Sequence, residues 1–95
     1  MSNDLAGSVR FGPSPDVPRK MIEALRLNDS LNKMALKYLT LIESAQSETL
    51  LAYVHGRAEG HVEGLDEARA LTGQQGIYLQ NAFQSAKDKR LAQLR

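Results

Sequence analysis

In Ala52-Tyr53-Val54-His55-Gly56-Arg57-Ala58-Glu59-Gly60-His61-Val62-Glu63-Gly64-Leu65-Asp66-Glu67-Ala68 a small residue returns at every fourth position: Ala52, Gly56, Gly60, Gly64 and Ala68. Residues four apart stack on one side of an α-helix, so the spacing predicts a ridge with almost no side chain. Each glycine inside a helix costs about 1 kcal/mol relative to alanine, which calls for either flexibility or close approach of another backbone, and we favour close approach. Leu51, Val54, Ala58, Val62 and Leu65 fall on the other side and form an apolar face. A four-residue step overshoots a full turn by about 40°, so the ridge starts opposite that face and drifts toward it by Ala68. One helix over 48–72 therefore offers two contact surfaces, the apolar one for its own fold and the ridge for another helix, expected from another copy of the chain.

Upstream, Leu31, Met34, Ala35, Tyr38, Leu41, Ile42 and Ala45 share a stripe about 120° wide, the pattern of an amphipathic helix with one buried face. Leu36 and Leu39 lie off it, where the pattern allows a second, smaller contact. The stripe changes phase across residues 44–48, and Ser47 is suited to cap a new helix with Glu48 at its positive end. A helical hairpin of 31–45 and 48–72 is thus expected, with Leu41 and Leu65 inside its core. Downstream, Thr72-Gly73 reads as a helix stop, with Gly73 free to turn left-handed. A last helix over about 76–92 carries Leu79, Phe83, Ala86, Leu91 and Leu94.

At the other end, Asp16 before Val17-Pro18 is a helix start, giving a short helix over about 18–27, and Asn28-Asp29-Ser30 breaks the chain before the hairpin. Residues 1–17 read as an extended N-terminal arm because Gly7, Gly12, Pro13 and Pro15 interrupt regular structure. Leu5, Val9 and Phe11 are spaced to lie as a strap on a neighbouring surface; the alternative is a tail without regular structure. Residues 18–95 form a single small domain, and the fold class is all-α.

A chain of 95 residues buries only roughly 60–65% of its unfolded surface, so self-association is a natural source of extra stability. With no cysteine, neither a disulfide nor a thiolate metal site supplies it. The first residues lack the pattern of a signal peptide, and no run of ~18 apolar residues suits a bilayer; a soluble chain that meets no membrane is expected, in the cytoplasm during synthesis. The net charge of +1 hides segregation: residues 47–72 carry two basic against five acidic side chains, and residues 73–95 carry four against one. The acidic middle and the basic end suit contact between neighbouring copies.

No catalytic signature is present: there is no Gly-x-Ser-x-Gly elbow, no phosphate loop ending in Gly-Lys-Ser/Thr, and the glycines do not follow a strand as a dinucleotide fingerprint would. His55, Glu59, Glu63 and Glu67 share a helix column, yet the Glu-x-x-His pairing of di-iron bundles is missing, so neither a metal nor any other cofactor is expected. His61, at the edge of the apolar side, suits half-buried packing. Nucleic-acid or regulatory adaptor function is the competing reading, through the basic tail of Lys87, Lys89, Arg90 and Arg95.

Residues 55–71, His55-Gly56-Arg57 through Arg69-Ala70-Leu71, resemble helices of small all-helical proteins from tailed-bacteriophage virion modules. The resemblance implies a non-enzymatic structural or connector role in a phage particle, in many copies and with the virion as destination. No individual site residue follows from it. The reading that joins these observations is an assembly protein acting through helix packing, with copies of itself and neighbouring assembly proteins as partners.

Overall fold

The computed structural model describes residues 17–95, so Asp16 and the arm contacts expected of Leu5, Val9 and Phe11 lie outside the described residues. The fold is all-α: α1 (Val17–Ala24), α2 (Asp29–Glu43), α3 (Glu48–Glu67) and α4 (Gly73–Leu94), with no strand among the described residues. Val17, assigned to the arm from sequence, is the first residue of α1. α4 packs on all three other helices, and α2 also packs on α1 and α3.

Local chemistry sets each boundary. Asn28 caps α2 by accepting from the Leu31 amide at 2.9 Å, and Ser47 caps α3 by accepting from Leu50 at 3.1 Å. The hairpin between α2 and α3 is therefore a true break, as Ser47 led us to expect. At the other end of α3 the sequence reading needs correction: the helix stops at Glu67 rather than at 72. Arg69, with φ 61°, takes the left-handed position expected of Gly73. Its amide donates to Asp66 O at 3.0 Å and the next amide, Ala70, to Leu65 O at 2.8 Å, the paired bonds of a Schellman ending. Thr72 then starts α4. Its hydroxyl accepts from the Gln75 amide while the Gln75 side chain accepts from the Thr72 amide, and this capping box makes Gly73 the first residue of α4 rather than the last of α3.

The core is built from every helix, with Ile22, Leu39, Ile42, Leu51, Val62, Leu79 and Phe83 fully buried. Leu39, off the main stripe, is fully buried and makes the second contact that its position suggested. Because α2 is flanked by α1, α3 and α4, it buries more than one stripe. Leu41 and Leu65, expected inside, are only partly buried and pack against the core from its edge. Leu91 and Leu94 do the same at the end of α4, while Gly76 near its start and Ala82 in its middle join the buried set.

Candidate interaction surface

Leu51, Val54, Ala58 and Val62 of α3 are buried against the other helices, as the apolar pattern requires. This orientation carries the small-residue column outward. Ala52, Gly56, Gly60, Gly64 and Ala68 are all exposed, and a methyl group built on Gly56, Gly60 or Gly64 meets no atom within 4 Å. The ridge thus contacts no other described part of its own chain. Ala68 lies one residue past the end of α3, as its C-cap, rather than turning toward the apolar side. The glycine that does meet a neighbouring helix is Gly76 in α4, which is buried and whose added methyl group would lie 3.9 Å from Val62 Cγ1.

The sequence places Glu59, Glu63 and Glu67 beside the ridge, but the aromatic and the cation next to it were not read from it. Tyr53, three residues before Gly56 and so on the same side of the helix, is 61% exposed, and the Arg57 guanidinium lies 5.9 Å from its ring centre. Arg57 and Glu63 flank Gly60 by about 60° on either side at 100° per residue. Glu59 and Glu67 extend the acidic flank, and all three carboxylates are exposed. The outer face of α3 therefore has a bare centre, an aromatic at its N-terminal end, one cationic flank and one anionic flank.

His55 sits on the inner side, 5% exposed, with Nδ1 3.6 Å from Glu59 Oε1 and no hydrogen-bond partner for Nε2 among the described residues. Burial pushes its pKa below the ordinary value; the Glu59 carboxylate opposes this, Lys87 lowers it further and Asp88 raises it. The 3.6 Å separation is too long for a hydrogen bond. His61 is half-buried with its ring 5.1 Å from that of Tyr38, the packing role expected of it, and burial lowers its pKa too. No three His, Asp or Glu side chains among the described residues converge in a way that could hold a metal ion.

Much of the basic tail is engaged within the fold. Arg90 Nε donates to Ala45 O at 2.8 Å, closing the end of α2, and Arg95 reaches Glu48 at 3.3 Å. Lys87 stands near His55. Arg90 and Arg95 are thus each held by a contact within the fold. No helix among the described residues is long and apolar enough to cross a membrane. No protein-family model, curated protein or solved structure matches the chain.

Proposed function

We propose that this protein is a non-enzymatic assembly component that associates with copies of itself through the outer face of α3. The observation that carries the reading is the bare ridge. Three glycines in the middle of α3 cost about 1 kcal/mol each in helix stability, and no contact within the described fold offsets that cost. A second helix laid along the ridge offsets it, because the missing side chains let two backbones come close and make dispersion contacts along their length.

The partner that this face fits is another α3. With the two-fold axis running along the helices, the Arg57 flank of each copy meets the carboxylate flank of the other, and Tyr53 supplies an exposed aromatic anchor. The likeness of residues 55–71 to helices of phage virion proteins supports a particle as the larger assembly.

Mass in solution, measured together with helical content, tests the proposal. The parent chain is expected to exceed its 10.5 kDa monomer mass. Arg57→Glu and Glu63→Arg are each expected to weaken association, and mixing the two to restore it. Equal association by the parent and by both charge-reversed variants would refute the two-fold contact.

A further inference from the structure

Two grooves lie near opposite ends of α4, about 18 Å apart by helical rise, counted from Ile77 to Lys89. The first, about 270 Å³, opens between α3 and α4, with Val62 and Gly76 in its lining and Glu63 and Asp66 as its charged residues. Ile77 stands at this groove and is 61% exposed, a large apolar side chain left in water outside the core. The second, about 290 Å³, opens on the α1 side of α4, with Pro18 and Ala86 as apolar lining. Its charged residues are Arg19, Lys89, Arg90 and one carboxylate, Glu43, which Arg19 contacts at 3.5 Å. One groove thus has two carboxylates and no cation in its lining, and the other has three cations and one carboxylate.

We propose that copies of this protein also join head to tail, with Ile77 of one copy seated in the Pro18–Ala86 groove of the next. Glu63 and Asp66 of the first copy then face Arg19, Lys89 and Arg90 of the second. The contact needs surfaces from different ends and different flanks of α4, so it is heterologous: each copy retains one unused end, and the association continues instead of closing as a pair. A single inserted side chain ringed by a few ion pairs belongs with small interfaces, below about 1,200 Å², that form at high local concentration. Its charges, exposed on the acidic side and half-buried on the basic side, make it salt-dependent, since the Debye length shortens from about 10 Å at 0.1 M to about 3 Å at 1 M salt. The contact shares Glu63 with the flank of the glycine ridge, so it is tested with the ridge blocked.

The experiment uses the full chain carrying Gly60→Leu, so that the ridge is blocked, and follows mass against protein concentration. At low salt the mass is expected to rise past that of two copies, and near 1 M salt to return to the 10.5 kDa monomer. Glu63→Lys and Lys89→Glu, each added singly, are expected to hold the chain monomeric at low salt. An equimolar mixture of the two should associate again, because each then offers the charge that the other's intact end requires. Ile77→Ser, at an exposed position that leaves the core untouched, is expected to weaken association at least tenfold. A Gly60→Leu chain that stays monomeric at low salt, or whose association is unaffected by both Glu63→Lys and Ile77→Ser, would overturn the head-to-tail contact. Association that persists in high salt and resists these substitutions would also count against the ridge, because Gly60→Leu should have removed any contact made there.

Discussion

Helix α3 shows two faces that a helical wheel alone does not rank. On the inner face Leu51, Val54, Ala58 and Val62 are covered by neighbouring helices, whereas on the outer face Gly56, Gly60 and Gly64 meet nothing. Removing atoms from the inner face should leave a cavity, while adding atoms to the outer face displaces none within the fold. A side chain's value in this helix is therefore set by what faces it: the same methyl group is worth stability on one side and, by our reading, costs association on the other.

The largest expected effect lies on the inner face. Leu51→Ala should destabilise the protein by about 2–5 kcal/mol, because Leu51 is 1% exposed and the surrounding helices can close the void only in part. Chemical denaturation measures this. A loss below about 1 kcal/mol would break the contrast between the faces.

Acid should sharpen the same contrast, since the buried His55 and the half-buried His61 both belong to α3. His55 and His61 have pKa values lowered by burial, so above the unfolded-state value of about 6.5 they are neutral in both states. As pH falls below 6.5 the unfolded chain takes up protons first. Stability then drops until the folded-state values are passed. Denaturation at pH 8 to 5.5 should show this decline, and His61→Phe, which keeps a ring beside Tyr38, should flatten it. Stability that rises over the same interval would contradict the burial assigned to these rings.

Smaller effects come from the helix start and the ridge. Ser47→Ala removes the acceptor for the Leu50 amide and should cost about 1 kcal/mol, with association unchanged. Gly60→Ala should stabilise the isolated fold by about 0.4–1 kcal/mol, through helix propensity and the reduced freedom of the unfolded chain. Thermal melts at low protein concentration separate this gain from any loss of association. A destabilised Gly60→Ala monomer would mean that the ridge is packed within its own chain.

Much of this fold is legible in the sequence where one physical signal acts alone. The Leu51-Val54-Ala58-Val62 spacing identifies the inner face, and Ser47 with its following carboxylate identifies the start of α3. Legibility fails where two signals compete or where the answer depends on a neighbour. Thr72-Gly73 offers both a glycine stop and a capping threonine; the Thr72–Gln75 box prevails, while Arg69 accepts the left-handed turn. The spacing allows a second contact at Leu39, but that this contact is complete follows from the three helices that flank α2. The small-residue column and its place opposite the apolar face are both visible in the sequence, and burial of that face turns the column outward. Tyr53 and Ile77 escaped notice because a large apolar residue acquires significance as a surface feature only once its exposure is known.

The most direct test of the central claim is Gly60→Leu, with mass and helicity measured on the same sample at physiological salt, where the exposed charges are partly screened. The account predicts a protein with parental helical content whose mass falls below that of the parent, since a leucine on the ridge meets open space within the chain but holds two α3 backbones apart. A Gly60→Leu protein that is fully helical and retains the parent's mass would contradict it.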